Sequence, residues 1–347
     1  MLANDTVPVI FNPGMQKKLY FRSIIILLMR KIFTVLLIII AVLIVVVGIG
    51  ASFISLRGIP KYTAQKINIK VDVTPERIER GTKLASMLCR SCHYNDQTDK
   101  FTGRELTEVP QFGKIYSANI THDSIAGIGN WSDGDIIYLI RTGLRPDGQY
   151  IPPYMPKLIN LSDEDLYSIV AFLRSDNNWV KPDNTRSFES QPSFLTKFLV
   201  TVAFKPFPYP TKIIRGPDTV NMIALGKYIA LDELECFSCH SKDFATNDFF
   251  TPEKSKGFFG GGNKLFTQEG KEIYTLNITS DKNTGIGDWT EDEFIKAIKT
   301  GIVPNGAPAL RYPMQPYVNL TDKEAAAVYA YLKTVPAINN KVERVNE

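Results

Sequence analysis

An all-α fold, built twice behind an apolar N-terminal helix, is what this sequence predicts, and three observations predict it. Short motifs recur at one spacing, helix start and stop signals sit at matching places in both copies, and almost nothing alternates like a long strand. Asn119-Ile-Thr returns as Asn277-Ile-Thr, Gly127-Ile-Gly with Trp131 as Gly285-Ile-Gly with Trp289, and Thr142-Gly143 as Thr300-Gly301, all at an offset of 158. One residue is then inserted, and Met155 matches Met314 and Leu161-Ser-Asp matches Leu320-Thr-Asp at an offset of 159. These matches place one domain at about 74–185 and a second at about 216–338.

The same three helices are expected in each copy. The first carries Ile78, Gly81 and Leu84, or Ile223, Gly226 and Ile229. Glycine inside a helix costs about 1 kcal/mol relative to alanine, so a close crossing by another helix is the expected reason for it. The middle helix starts at Ser132 or Thr290, with Asp135 or Glu293 three residues on as in a capping box, and stops at Gly143 or Gly301. The last is capped by Ser162 or Thr321. It turns Leu166, Ile169, Val170 and Leu173 to one side, or Ala325, Val328, Tyr329 and Leu332 in the second copy. Phe172 and Tyr331 share a repeat position suited to crossing the glycine of the first helix.

Ahead of the repeats, Ile32–Leu56 is 25 residues without a charged side chain. At about 1.5 Å per residue it spans a hydrocarbon core, and it exceeds the roughly 7–15 apolar residues of a signal peptide. A small-residue site around Gly48–Ala51 offers a cleavage point, but the length favours an uncleaved anchor. Residues 1–60 hold six Lys/Arg against Asp5, a net +5, while the remaining 34 basic and 35 acidic residues give −1. The near-neutral remainder argues against nucleic-acid binding. Arg30 and Lys31 directly precede the span, so residues 1–60 read as a cytoplasmic N-terminus plus anchor, with the rest of the chain outside. Met15 and Met29 offer later starts that would still precede the span.

Between the copies, residues 186–215 contain Phe194–Phe204 and then Lys205-Pro-Phe-Pro-Tyr-Pro210. We read this as a linker packed in the cleft between domains. A segment lying on the bilayer surface is the other reading, since about 12 residues cannot span one.

The chemistry lies in Cys89-Arg-Ser-Cys92-His93 and Cys236-Phe-Ser-Cys239-His240, which together use all four cysteines and two of the three histidines. The pattern C-x-x-C-H is the attachment signature of c-type haem, so Cys89, Cys92, Cys236 and Cys239 are assigned to thioether bonds and His93 and His240 to iron. A thioredoxin-like pair or half of a zinc site would leave the histidine after each second cysteine without a purpose. In bacteria this haem is attached outside the cytoplasm, in agreement with the anchor. The two motifs are 147 apart, so the second copy holds 11 extra residues after its histidine, expected as a surface loop around Gly260–Gly262.

For the opposite face of each iron, Met155 and Met314 stand in matched proline-bracketed loops, Pro153-Tyr-Met155-Pro and Pro313-Met314-Gln-Pro. A stiff loop suits holding a thioether against iron, and His/Met ligation raises the potential and closes the iron to substrates. Met87 and Met222 have no counterpart and are read as packing. His122, whose counterpart is Ser280, is read as a surface-loop residue rather than a ligand. Trp131 and Trp289 are read either as donors to a haem propionate or as core.

Taken together, Asn-Ile-Thr, Gly-Ile-Gly-x-Trp, the Thr-Gly helix end, the Pro-Met loop and Leu-Ser/Thr-Asp resemble class I cytochrome c domains. In particular they resemble those in the cytochrome c subunits of bacterial membrane-bound alcohol and gluconate dehydrogenases. The resemblance covers both copies and implies that Cys89, Cys92, His93 and Met155, with Cys236, Cys239, His240 and Met314, bind two haems. It also implies electron transfer between redox partners such as a dehydrogenase, a quinol-oxidising complex or a terminal oxidase. Those subunits usually carry three haem domains, whereas two motifs are present here. A haem enzyme such as a dihaem peroxidase is the competing expectation; it would need an open sixth position, against which the matched methionine loops speak.

Overall fold

The computed structural model describes residues 13–343 apart from 268 and 305, so residues 1–12 of the expected cytoplasmic segment lie outside the described residues. The chain divides into two units, Met1–Gly58 and Ile59–Glu347. The first contains helix α1, Pro13–Arg57, within which Tyr20–Arg57 is long and apolar enough to cross a membrane. The expected span Ile32–Leu56 falls inside it.

The second unit holds both repeats, with helices as their main regular structure. In the first repeat α2 is Pro75–Leu88, α3 Arg90–His93, α4 Asp133–Thr142 and α5 Asp163–Leu173. A linker helix α6, Phe194–Val202, follows. The second repeat has α7 Met222–Tyr228, α8 Cys236–His240, α9 Glu291–Thr300 and α10 Asp322–Leu332. Loops fill much of the rest. They carry two small antiparallel ladders, β1 (Gly113–Lys114) on β2 (Gln191–Pro192) and β3 (Lys264–Phe266) on β4 (Glu272–Tyr274). The all-α expectation is therefore met only in part: helices are the main regular structure, but they make up less than half of the chain, and loops with short strands fill much of the rest.

Local chemistry explains where the helices start and stop. Ser132 and Thr290 accept from the backbone N–H three residues on, while Asp135 and Glu293 reach back to the cap N–H. Gly143 and Gly301 close these helices in the left-handed region, at φ 81° and 77°. Ser162 and Thr321 cap α5 and α10. In each repeat the first helix crosses the last at its glycine. A Cβ on Gly81 would stand 1.8 Å from the Ser168 carbonyl oxygen, and one on Gly226 would stand 1.8 Å from that of Ala327. The crossing partner is thus first a main-chain carbonyl one turn ahead of Phe172 and Tyr331; Phe172 follows at 2.8 Å, and in the second repeat the next atoms are again main chain. Leu84, Leu166, Ile169, Phe172, Leu225, Ala325 and Val328 belong to one buried core that runs through both repeats.

Three expectations change. The 11 extra residues of the second copy do not form a loop at Gly260–Gly262. Phe101 and Phe259 occupy one position, each accepting from the N–H of Ile120 or Ile278, and both are fully buried. The added length therefore lies between His240 and Phe258, and Gly260 and Gly261 are buried. His122 is not a loose surface residue either: its ring is bonded to the Leu173 carbonyl at the end of α5, while Ser280 bonds the Val335 carbonyl in the second copy. Lastly, the linker divides in two. Phe207 does lie between the repeats, bonded through its N–H to the Thr142 carbonyl and in ring contact with Phe249 and Phe250. Helix α6 instead packs on the first repeat, where Thr196 and Val200 are buried and the Thr196 hydroxyl donates to the Phe112 carbonyl.

Candidate functional site

Each C-x-x-C-H forms a tight helical turn at the end of the repeat's first helix. The N–H groups of Cys92 and His93 return to the Cys89 carbonyl at 3.2 and 2.9 Å, so both sulfurs and the imidazole come from a single turn. The entry to the second motif differs. Helix α7 widens into a π-helical turn over Ile229–Glu233, and Glu235 sits in the left-handed region at φ 47° before Cys236 starts α8.

The histidines are held alike. His93 Nδ1 lies 2.8 Å from the Ala118 carbonyl oxygen, and His240 Nδ1 lies 2.8 Å from that of Leu276. A carbonyl can only accept, so Nδ1 carries the proton in both and Nε2 keeps its lone pair for a ligand. The two carbonyls are 158 residues apart, the spacing of the sequence repeat. Desolvation lowers the pKa of both imidazoles, which keeps them neutral, as ligation requires. Burial pushes the Cys89 and Cys236 thiols up to about 12, and desolvation raises Cys92 and Cys239 as well. As free thiols they would be poor nucleophiles. All four cysteines and both histidines nonetheless keep part of their surface open. A donor set of two sulfurs and one neutral, oriented imidazole per turn fits c-type haem. It does not fit a tetrahedral zinc site, because among the described residues no group of three or more His, Cys, Asp or Glu is gathered.

The methionine loops are pinned at both ends to the middle helix of their own repeat. Ile151 N–H donates to Gly143 and Leu158 N–H to Ile140; in the second copy Leu310 donates to Gly301 and Tyr317 to Ile298. Met155 and Met314 are both half-buried within these loops. The second loop also meets the first repeat. Gln315, next to Met314, donates to the Met87 carbonyl at 3.3 Å, and Asn319 donates to the Ser86 hydroxyl at 2.6 Å, both on the helix that runs into Cys89. Within the first loop, Lys157 holds the carbonyls of Pro152 and Met155 at 2.8 and 2.6 Å. Met87 and Met222 pack in the core, as do parts of Trp131 and Trp289.

The Cytochrome c family model matches residues 78–176, from within α2 to just past α5. The chain carries a cytochrome c domain. The cytochrome subunit of fructose dehydrogenase from Gluconobacter japonicus is 27% identical over 278 residues, covering 75% of this chain and 53% of that protein. The cytochrome c subunit of the quinone alcohol dehydrogenase of Gluconobacter oxydans is 28% identical over 283 residues, covering 77% and 56%. A diheme cytochrome c-type protein of Cereibacter sphaeroides is 25% identical over 263 residues, covering 72% and 82%. The chain thus spans about half the length of the dehydrogenase subunits it matches, and resembles them as expected from the motifs.

Around the cytochrome c domain, the seam between repeats contains an ionic group that no local motif announced. Arg80 on α2 bonds Asp165 on α5 and Glu233 of the π turn, both at 2.7 Å, and Glu324 on α10 lies 3.6 Å from it. Tyr228 donates to Asp165 at 2.5 Å and receives the Ser162 N–H at 2.9 Å. Asp165 and Glu233 share one guanidinium yet shift in opposite directions. Asp165 is lowered because Arg80, Tyr228 and Ser162 all bond its carboxylate, which outweighs its burial. Glu233 is fully buried, has Oε1 without a partner, and is pushed up to about 7. Desolvation likewise pushes Asp232 to about 7 and Glu235 to about 8. The sequence offered no warning of this group, since its members are far apart in the chain.

Proposed function

We propose that this chain is a dihaem c-type cytochrome, anchored in a bacterial cytoplasmic membrane by a single span. Its domains at about 74–185 and 216–338 lie in the periplasm and carry electrons without bond-making chemistry of their own. The observation that carries the proposal is the pair of histidine bonds. In both copies an imidazole directly after C-x-x-C gives its Nδ1 proton to an equivalent carbonyl and keeps Nε2 for iron. Cys89, Cys92, Cys236 and Cys239 then hold the two porphyrins, His93 and His240 ligate one face of each iron, and Met155 and Met314 the other. When bound, the haem supplies one-electron cycling between ferrous and ferric iron.

The chain's own residues orient and support. The pinned loops keep each thioether in place, and the buried core backs the helices that lead into the attachment turns. Because the loop of Met314 is bonded to the helix that runs into Cys89, the two centres share one seam, which favours exchange of electrons between them. The relatives named as dehydrogenase subunits support a dehydrogenase as donor, with a quinol-oxidising complex or a terminal oxidase as the further partner. Purification from native membranes in mild detergent tests this. The expected result is a co-purifying dehydrogenase or oxidase and reduction of the haem by the donor's substrate. Peroxide turnover by the isolated protein, with a high-spin oxidised spectrum, would overturn it in favour of a haem enzyme.

A further inference from the structure

The linker helix α6 is amphipathic in a direction its fold does not use. Thr196 and Val200 are buried against the first repeat, at 1% and 0% exposure. Phe194, Leu195, Phe198 and Val202 are exposed at 49%, 48%, 40% and 56%. At 3.6 residues per turn these four fall within an arc of roughly 100° opposite the buried pair. Phe194 and Phe198 stack at 6.4 Å, so the outward face is a continuous apolar strip. Lys205 folds back onto the Val200 and Thr201 carbonyls and keeps the helix end polar.

The position of this strip identifies its occupant. Val200, on the inward face, belongs to a small cluster with Tyr138, Leu144 and Tyr150. Ile59, Tyr62, Ala64 and Ile67 pack on that cluster, and Tyr62 is fixed there by its N–H bond to the Gly148 carbonyl at 2.8 Å and by ring contact with Tyr150. Ile59 directly follows Gly58, where the apolar N-terminal unit ends. The residues that leave the span therefore pack on the same small cluster that seats α6. The outward strip lies across a single helix from that cluster, about one helix diameter or roughly 10 Å, while the interfacial zone of a bilayer is some 5–10 Å deep.

We propose that α6 lies on the same bilayer that α1 crosses, with Phe194, Leu195, Phe198 and Val202 in the headgroup–acyl boundary. This is a second, interfacial contact that fixes the orientation of the haem-bearing unit over the membrane; it rests on the reading of α1 as a span. Spin labels on full-length holoprotein in lipid nanodiscs test it, placed singly at Phe198→Cys, Ile125→Cys and Val45→Cys. Residues 198 and 125 are surface positions, so neither variant disturbs the core, and Ile125 is 80% exposed in a loop of the first repeat. The expected result is that the labels at 198 and 45 collide more with oxygen than with a water-soluble nickel chelate, and that the label at 125 does the reverse. A label at 198 that behaves like 125, with 45 still lipid-like, overturns the interfacial contact and leaves the strip to a protein subunit. A water-like label at 45 overturns the span, and this proposal with it.

Discussion

The two attachment sites share their geometry but not their electrostatics. Both histidines bond equivalent carbonyls and both methionine loops are tied to equivalent helices. Around the first motif charge is balanced by pairing: Arg104 donates to the Ser91 carbonyl from Nε and Nη2 and is paired with Glu108. Before the second motif stand Asp232, Glu233 and Glu235, all held protonated to unusually high pH by burial. The repeat preserved what orients a ligand and let vary what surrounds it. Under the proposed ligation, two centres of one ligand set would thereby differ in potential, because nearby charge and burial tune an iron as much as its ligands do.

The largest expected effect comes from breaking the feature the repeats share most strictly. Gly226→Val would drive side-chain atoms into the Ala327 carbonyl, and Gly81→Val into that of Ser168. Each should lose several kcal/mol, by analogy with overpacked core sites, and with it much of the native fold. Thermal unfolding followed by circular dichroism checks this. A variant that unfolds within a few degrees of the parent would contradict the crossing.

Next in size, Met155→Ala and Met314→Ala should each abolish the sulfur–iron absorption band of one centre and lower its potential, leaving the other unchanged. Spectra of the two variants would then assign each band to its repeat. An unaltered spectrum in either would remove that methionine from the ligand set.

Smaller again is the effect of the acidic seam. Above about pH 8, where Glu233 is ionised, Glu233→Gln should move the potential of the second centre by tens of millivolts or so, more than that of the first, as expected for one charge felt through protein at a distance of order 10 Å. Below about pH 6, where the carboxyl is neutral, the shift should be much smaller. A redox titration with both centres resolved measures it, and equal shifts would place the carboxylate elsewhere electrically.

The same groups predict a pH dependence of stability. Asp232, Glu233 and Glu235 keep their protons in the folded chain at pH values where an unfolded chain has lost them. Their contribution is complete below about pH 4 and is lost as pH rises through about 7 to 8, so denaturant midpoints should fall between pH 5 and 8. A midpoint rising over that window would reverse the assignment.

Smallest of all, Glu164→Ala should change stability by about 0–1 kcal/mol, because its pairing with Arg77 is at the surface and largely exposed on the Glu164 side. A much larger loss, read from the same denaturation curves, would mean the α2–α5 crossing leans on that pair.

How far the sequence could be read follows from whether each feature is local. The capping boxes at Ser132 and Thr290, the glycine stops and the C-x-x-C-H turns are set by residues within one or two turns, and all stand where the pattern indicated. Gly81 and Gly226 announced a crossing because only a close neighbour makes a mid-helix glycine worth its cost. The place of the 11-residue insertion was missed because glycines resemble loop residues whether exposed or buried; the match of Phe101 to Phe259 would have found it. Helix α6 was legible as apolar, but not which side faces the protein. The Arg80 group joins α2, α5, the π turn and α10, and so depends on tertiary contacts alone.

The central claim is that the two repeats are two haem sites. Intact mass of the protein purified from its native membrane, together with a pyridine haemochrome assay per mole of chain, tests it most directly. Two covalently bound haems per chain are predicted, falling to one in Cys236→Ala/Cys239→Ala. A parent carrying a single haem, or a variant that keeps two, would contradict the account.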